Sequence, residues 1–274
     1  MIQLQNFSRR EQRGWFQARR FLGVPIPTEL SEHFKNYDNK MLDDKKIKEL
    51  EVTANKIRQS IIEMLIEAGS GHTAGPLGMA DIFTTLYFEL LRHDPKNPLW
   101  SERDRVVLSN GHICPVLYST MAHRGYFPVE ELKTLRKFKS RLQGHPHREW
   151  LAGLETSSGP LGSGLSQAVG MALAERIDHG VSSQKFFYAL LSDGELDCGN
   201  TWEGAMLAGK ENLHNLIAIV DRNNIQIDGF TENIMPLEPL HEKWASWNWH
   251  VQEIDGHNFQ AIISAVEEAR AVFN

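Results

Sequence analysis

Two oxygen-bearing side chains, Asp193 and Asn223, each follow an apolar stretch, Phe186–Leu191 and Leu216–Val220. They are 30 residues apart, the length of one strand-helix-strand unit, which returns the chain to the same edge of a parallel sheet. Carboxylate, amide and backbone carbonyl oxygens suit Mg²⁺ or Ca²⁺, and diphosphate oxygens would complete the ligand shell. Gly194 would let the backbone approach a phosphate. Either loop alone is more often an ordinary turn, but the pair predicts a metal and diphosphate site.

Four histidines that each follow a glycine are candidates for proton transfer: His72, His112, His145 and His257. An imidazole can donate or accept a proton near neutral pH. The preceding glycine permits a tight loop that projects a side chain into a cleft. The chain has 12 histidines, and any single one is more often a surface or capping residue. We assign that ordinary role to His33, His123 and His179.

Helical and strand patterns alternate from residue 45 onward, and these elements must bring the loops together. A long helix is predicted from Lys45 to Ala68, where Gly69 and Gly71 end it. Four strands and five further helices are predicted after it: strands Arg105–Ser109, Phe186–Leu191, Leu216–Val220 and Trp249–Ile254, and helices over Ala80–Leu91, from Pro115, after Gly162, and over Thr201–Gly209 and Phe259–Phe273. This order predicts an α/β fold, with a doubly wound, mainly parallel sheet flanked by helices on both faces. Ligands of such sheets bind at the carboxyl ends of the strands.

Length and composition exclude several functional classes. The 274 residues, 41% of them hydrophobic, are enough to bury a large core. The 35 acidic residues outnumber the 29 lysines and arginines, and the formal net charge of −6 argues against a nucleic-acid partner. Two cysteines, Cys114 and Cys198, cannot build a disulfide framework and indicate a reducing compartment. Without a run of about 18 apolar residues, we expect no membrane partner and a cytoplasmic protein.

Residues 1–45 differ from the rest and are predicted to form an N-terminal arm. Arginines alternate there with aromatic residues, and two prolines follow. Three interpretations remain open: an arm that docks on its own domain or on a partner, a basic targeting peptide, or a weak contact to an anionic surface. The remainder, residues 46–274, is predicted to be one domain.

The loops resemble, in order, those of a known enzyme family. Asp193-Gly194 through Asn223 resembles the thiamine-diphosphate signature, which opens with Gly-Asp-Gly and closes on an asparagine about thirty residues later. Four further segments resemble the histidine loops and the cofactor-covering loop of transketolases: Ser70-Gly71-His72, Ser109-Asn110-Gly111-His112, Gly144-His145-Pro146 with Gly159–Gly164, and Asp255-Gly256-His257. The resemblance covers about residues 46–274 and implies the diphosphate-binding domain of the thiamine-diphosphate fold.

The resemblance implies a role for each matching residue. Asp193, Asn223 and the backbone of Ile225 would bind the metal. His72, His112, His145 and His257 would surround the thiazolium and the donor sugar as catalytic residues. The implied contacts to thiamine diphosphate are those of His112, Gly159, Pro160, Leu161, Gly162, Asp193, Gly194, Glu195 and Asn223.

Four positions depart from the family pattern. Ser192 replaces the usual first glycine, Asn224 stands where glycine is common, and Thr73 replaces a frequent proline. Cys198 occupies a position where transketolases carry a glutamate that contacts the opposite active site, although the second such acid, Glu203, is present. The changes at Ser192 and Asn224 are mild, and Cys198 weakens the expectation of a proton link between paired sites.

The resemblance further implies ketol transfer between a ketose and an aldose, with sugar phosphates as substrates. In the family, a glutamate of a second, pyrimidine-binding domain activates the cofactor. We expect that domain on a C-terminal partner subunit in a heterotetramer, and we expect residues 46–274 to lack the last strand of the fold. Two alternatives remain: another thiamine-diphosphate subunit, similar to 1-deoxyxylulose-phosphate synthase or to a 2-oxoacid decarboxylating enzyme, or a degenerate subunit without catalysis.

Overall fold

The computed structural model describes residues 1–5 and 42–272. The strands of the main sheet are β1 (Ile2–Gln5), β2 (Arg105–Leu108), β3 (Phe187–Ser192), β4 (Leu216–Arg222) and β7 (Gln252–Asp255). All of their pairings are parallel, and their spatial order is β2-β3-β4-β1-β7. A small antiparallel hairpin of β5 (Ile225–Gln226) and β6 (Gly229–Phe230) follows β4 in the chain.

Helices connect the strands across the described ranges. They are α1 (Asp44–Ala68), α2 (Ala74–Gly78), α3 (Ala80–Thr85), α4 (Cys114–Arg124), α5 (Ser163–His179), α6 (Gly199–Lys210), α7 (Thr231–Ile234), α8 (Leu240–Ala245) and α9 (Phe259–Ala271). The helix α1 shows how particular residues determine where a helix begins and where it ends. The side chain of Asp43 accepts a hydrogen bond from the backbone of Lys46 at 2.7 Å, and Gly69 ends α1 in the left-handed conformation with φ 63°.

Alternate residues of each central strand pack into opposite helical layers. In β3, Tyr188 and Leu190 join the cluster that contains the buried faces of α1, α3, α4 and α9. Their neighbours Ala189 and Leu191 join the cluster formed with α5, α6 and α8. The sheet is therefore covered on both sides, and the predicted doubly wound α/β fold is confirmed. None of the helices in the described ranges is both long and apolar enough to cross a membrane.

The strand β1 is a feature that the sequence did not predict. Residues 2–5 belong to the predicted arm, yet they lie inside the sheet, between β4 and β7. Residues 6–41 of that arm lie outside the described residues, so the division at residue 45 stays a prediction, as does the missing last strand.

Most predicted elements are confirmed, and two of them differ clearly from the structure. The last strand begins at Gln252 and not at Trp249, because Trp249 packs its ring against Trp244 and donates its indole N–H to the carbonyl of Ala205. The helix predicted over Ala80–Leu91 changes at Leu86 from an α-helix to a π-helix that ends at Leu90. The hairpin and the short helices α2, α7 and α8 were not predicted, and Phe273 lies outside the described residues.

Candidate active site

The two predicted metal-site loops meet at the carboxyl edge of the sheet. Asp193 follows β3, and Asn223 follows β4. The backbone N–H of Asn224 donates to Oδ2 of Asp193 at 2.7 Å, so the loops are in direct contact. Asn223 accepts from the backbone of Ile225 at 3.0 Å and donates to Oδ2 of Asp221 at 2.9 Å. The pairing of β3 with β4 thus brings Asp193 and Asn223 together, as the spacing predicted.

The carboxylates of this edge are deeply buried. The side chain of Asp193 is 1% exposed, and its Oδ2 accepts from Nη1 of Arg222 at 3.1 Å. Burial raises the pKa of Asp193 despite the hydrogen bonds from Asn224, Arg222 and Gly194. Burial also raises the pKa of Asp221 to about 6, and the charge of Asp193 adds to that shift. An added cation at this edge would relieve an unfavourable concentration of negative charge.

The donor set fits a divalent cation that also binds a diphosphate. Asp193 and Asn223 offer hard oxygens, which Mg²⁺ and Ca²⁺ prefer. In the described ranges no group of three or more His, Cys, Asp and Glu side chains is arranged to hold a metal. Diphosphate oxygens can complete the ligand shell beside these two residues. A Cβ at Gly159 would meet no atom within 4 Å, which leaves open space beside that backbone.

The loop of residues 159–164 is fixed by close packing at Gly162. This residue has φ 81°, and a Cβ there would come within 2.2 Å of Oδ1 of Asn200 and 2.7 Å of Cβ of Cys198. Glycine is required on both grounds. Leu161, in contrast, is exposed on the surface of the loop. The helix α5 begins directly after Gly162, so the loop is held at the carboxyl edge.

Glu195 ties three loops of the site together. Its carboxylate is fully buried and accepts from the backbone N–H of Gly162 at 2.6 Å, from the backbone of Ser192 at 3.2 Å and from the hydroxyl of Ser109. Burial raises the pKa of Glu195, although these hydrogen bonds oppose the shift. In this structure Glu195 fixes the loop of residues 159–164 through Gly162, and its direct contact to a cofactor stays a prediction.

Three of the predicted histidines form one cluster. The ring centroids of His72 and His112 are 4.8 Å apart. Burial lowers the pKa of His112 to about 4, with His72 and His145 adding to the shift. The pKa of His145 is also lowered, by burial and by the charges of Arg136 and His72. His112 and His145 are consequently neutral at pH 7, and each presents one donor and one acceptor nitrogen.

Arg136 bridges the loops that carry two of these histidines. Its Nη1 lies 3.3 Å from Oγ of Ser70, two residues before His72. Its Nε would lie 2.8 Å from a Cβ at Gly144, so the guanidinium lies against the backbone that precedes His145. The side chain is exposed, and its backbone adopts the left-handed conformation with φ 60°.

The fourth histidine, His257, has a different environment. Its Nδ1 lies 2.8 Å from Oδ2 of Asp81, which is also bound by Arg58. The hydrogen bond to Asp81 raises the pKa of His257, against the effect of burial. This opposite shift separates His257 chemically from the cluster of the other three.

The sequence missed several residues that hold the site together. Arg222, Arg58 and Asp81 were assigned no role, and Ser109 was noted only as part of a histidine loop. Their signal was weak, because each lies within an ordinary helix or strand pattern and its function comes from contacts that join distant segments. The amide of Asn110 is fully buried beside the His112 loop, and neither of its polar atoms has a hydrogen-bond partner in the described part of the chain.

Comparison with known proteins gives a consistent match. The family model described as "Transketolase, thiamine diphosphate binding domain" matches residues 49–274. The 6-deoxy-6-sulfo-D-fructose transketolase subunit SqwG of Clostridium sp. (strain MSTE9) is 47% identical over 222 residues, which is 81% of this chain and 80% of that protein.

Other relatives differ in how much of their length is covered. One subunit of the apulose-4-phosphate transketolase of Phocaeicola vulgatus is 39% identical, over 79% of this chain and 76% of that subunit. The structure of transketolase from Leishmania mexicana superposes with a TM-score of 0.77 at 35% identity, and the match covers 82% of this chain and 35% of that one. The chain thus spans most of the subunit relatives but about a third of the longer transketolase.

Proposed function

Because this chain belongs to the transketolase family, we propose that it is the diphosphate-binding subunit of a two-subunit transketolase. The complete enzyme transfers a two-carbon ketol unit from a ketose donor to an aldose acceptor. The observation that carries this proposal is the contact between the Asp193 and Asn223 loops at the carboxyl edge of the sheet, in a chain that covers 80% of a transketolase subunit. His112 and His257 follow the carboxyl ends of β2 and β7 at the same edge.

The cofactor of the proposed reaction is thiamine diphosphate, bound through Mg²⁺ or Ca²⁺. Asp193, Asn223 and the carbonyl of Ile225 are the proposed metal ligands, and residues 159–162 with Gly194 would face the diphosphate. When bound, the cofactor supplies the nucleophilic carbon and the electron sink that cleavage next to a ketose carbonyl requires. The buried carboxylate of Asp193 and the open space beside Gly159 support this assignment.

The proposed task of the histidines is to bind sugar hydroxyls and move their protons. The lowered pKa values of His112 and His145 keep both rings neutral near pH 7, so each can accept one hydrogen bond and donate another. His257, with its raised pKa, is better suited to donate. Two neutral rings, His112 and His145, together with the more basic His257 would support proton transfer in both directions during the two halves of the reaction.

The proposed partner is a C-terminal subunit that carries the pyrimidine-binding domain, in a heterotetramer. An exposed apolar face next to the proposed metal site supports this. Its residues are Leu161, Ile225, Ile227, Phe230, Ile234 and Met235. Ile227 is 96% exposed and Phe230 is 61% exposed, and five of the six residues lie between positions 225 and 235. Such a concentration of exposed large apolar side chains is typical of an interaction surface. We call this group the hairpin face.

The proposed donors are ketoses with an anionic group at the far end. One relative is named for 6-deoxy-6-sulfo-D-fructose and another for apulose 4-phosphate. Both sugars carry an anion, a sulfonate in one and a phosphate in the other. We therefore propose this substrate class, with the sulfonated ketose as the first to test because its relative has the higher identity.

The deciding experiment combines this chain with the product of the neighbouring gene. The mixture is incubated with Mg²⁺, thiamine diphosphate, an aldose phosphate and each of three ketoses: 6-deoxy-6-sulfo-D-fructose, apulose 4-phosphate and fructose 6-phosphate. Mass spectrometry should detect an acceptor lengthened by two carbons and a donor shortened by two. Consumption of pyruvate in place of a ketose would instead favour another thiamine-diphosphate reaction. Binding of the cofactor without any transfer would contradict the proposal.

A further inference from the structure

A buried ion pair lies behind His257. Asp81 accepts from Nη1 and Nη2 of Arg58 at 2.8 and 2.6 Å, one bond to each oxygen. The second of these oxygens, Oδ2, also faces Nδ1 of His257 at 2.8 Å. The side chain of Asp81 is 8% exposed, whereas that of His257 is 43% exposed. Three segments that are distant in sequence, α1, α3 and the loop after β7, therefore meet at one carboxylate.

The contacts around Asp81 leave its carboxylate a single orientation. The planar guanidinium of Arg58 binds both oxygens at once, and its Nε also donates to the carbonyl of Leu77 at 3.1 Å. Burial raises the pKa of Asp81, but the hydrogen bonds from His257 and Arg58 outweigh it and hold the pKa below its usual value. Asp81 is consequently ionised at neutral pH and can only accept hydrogen bonds.

An ionised Asp81 determines which nitrogen of His257 carries the proton. Nδ1 must be the donor, so in the neutral ring the lone pair is on Nε2. In the described part of the chain Nε2 has no hydrogen-bond partner. The backbone N–H of His257 donates to Oδ1 of Asp255 at 2.9 Å, which fixes the loop that carries the ring. The ring is thus anchored at one nitrogen and free at the other.

We propose that Arg58 and Asp81 are positioning residues that hold His257 in the Nδ1–H tautomer and turn Nε2 toward a hydroxyl of the sugar substrate. The inference rests on the proposed function, which gives His257 a sugar to bind. Asp81 itself touches no substrate and acts through the imidazole. The pattern is that of a buried carboxylate that orients a catalytic imidazole.

The tautomer can be tested in the full chain without catalysis. In ¹⁵N-histidine spectra, with His257 assigned from the spectrum of His257→Gln, we expect a protonated Nδ1 and an unprotonated Nε2 at pH 8. Asp81→Asn should give a mixture of tautomers, because an amide has one acceptor oxygen for Arg58 and His257 together. If Asp81→Asn folds poorly, the double variant R58M/D81L removes both charges, and replacement of a buried ion pair by apolar residues is often tolerated. Lys56→Met, an exposed change on the same helix as Arg58, is the matched control and should keep the wild-type spectrum.

Kinetics with the partner subunit supply the second readout. Asp81→Asn should lower kcat at least about 10- to 100-fold, the effect of losing a hydrogen-bonded partner that orients a histidine in metal sites, with little change in KM. In a His257→Gln background it should cost no further activity. The inference would be overturned by an Nε2–H tautomer in the wild-type chain, or by an unchanged tautomer in both Asp81→Asn and R58M/D81L. Additive losses of kcat when Asp81→Asn is combined with His257→Gln would overturn it as well. Absence of ketol transfer by the wild-type enzyme would overturn the proposed function and leave the tautomer result standing.

Discussion

Arg222 binds the carboxylate of Asp193 inside the carboxyl edge of the sheet, where Nη1 and Oδ2 are 3.1 Å apart and the two side chains are 2% and 1% exposed. The same guanidinium donates to the hydroxyl of Thr231 at 2.6 Å and to Glu238 at 3.1 Å. Arg222 therefore links a proposed metal ligand to the segment that follows the hairpin. It also offsets part of the negative charge that Asp193 and Asp221 bring to this edge.

Arg222→Met should destabilise the chain by about 3–5 kcal/mol, the usual cost of leaving a buried charge without its partner. Chemical denaturation without metal or cofactor measures this loss. Adding Mg²⁺ and thiamine diphosphate should recover part of it, because a cation at Asp193 would again pair the charge. The control is Arg176→Met, since Arg176 and Glu211 are both partly exposed and such pairs contribute below about 1 kcal/mol. Equal losses in the two variants would show that the Arg222 pair is unimportant.

Asp193→Asn should abolish metal-dependent binding of thiamine diphosphate. The amide keeps the size of the side chain but removes the charge that a divalent cation requires. We expect a loss larger than the about 10- to 100-fold that removal of an outer-shell partner causes. Titration calorimetry of the chain with its partner, with and without Mg²⁺, checks this. Asp197→Asn, a change at an exposed carboxylate four residues on, should bind as the wild type does, and unchanged affinity in Asp193→Asn would remove that residue from the ligand set.

Glu195→Gln should lower the free energy of unfolding by about 1–3 kcal/mol although the two side chains have the same shape. The carboxylate accepts three hydrogen bonds from Gly162, Ser192 and Ser109, and an amide would turn an N–H toward one of these donors. Thermal and chemical denaturation measure the effect. Glu203→Gln, on the exposed face of α6, should stay within about 0.5 kcal/mol of wild type. If Glu195→Gln were as stable as wild type, the three contacts would contribute little to the free energy of unfolding.

His112 should make the chain less stable in mild acid. Its pKa in the folded chain is lowered to about 4, below the unfolded value near 6.5, so the unfolded chain binds the proton more readily. The contribution of neutral His112 to the free energy of unfolding is complete above pH 6.5 and is lost as the pH falls from 6.5 to 4. Urea denaturation gives the free energy of unfolding at pH 7.5 and at pH 5. The difference between these two values should be smaller for His112→Gln than for wild type. His179→Gln, at an exposed position, should retain the wild-type difference; an identical result for His112→Gln would contradict the assigned shift.

Ile227→Lys should weaken assembly with the C-terminal partner and leave the isolated chain stable. The side chain is almost fully exposed on the hairpin face, so a lysine costs the monomer little, whereas burying its charge at an interface is costly. Size-exclusion chromatography with light scattering on the mixed subunits measures the change. The control is Ile177→Lys, another exposed isoleucine, near the end of α5 that points away from the carboxyl edge. Equal assembly by the two variants would exclude the hairpin face as the interface.

The sequence was sufficient to predict that the Asp193 and Asn223 loops lie close together, because chain topology alone brings them to one edge. Asp193 and Asn223 follow neighbouring parallel strands, and the carboxyl ends of such strands share an edge whatever the details of packing. The apolar runs of β3 and β4 are fully buried, so their strand pattern was unambiguous.

Other features depended on contacts that no local pattern records. His257 and Asp81 are 176 positions apart, and nothing in either segment indicates that a carboxylate of α3 lies behind the imidazole. The four residues of β1 are too few to show a strand period, and they stand in a segment whose composition suggested an arm. Glu195 is two residues from Asp193, and nothing in the local sequence indicates that the backbone N–H groups of Gly162 and Ser192 donate to its buried carboxylate.

The position of β1 also determines the order in which the strands can pair, because a polypeptide is synthesised from its amino terminus. Ile2 pairs with Ile219 on one side and with Gln252 on the other, so β1 cannot pair with either neighbour until the chain has been made more than 200 residues beyond it. In the described residues, β7 is joined to the sheet through β1. Such distant pairings form slowly and late. Because His257 follows β7 directly, its arrival beside Asp81 should be among the final steps of folding.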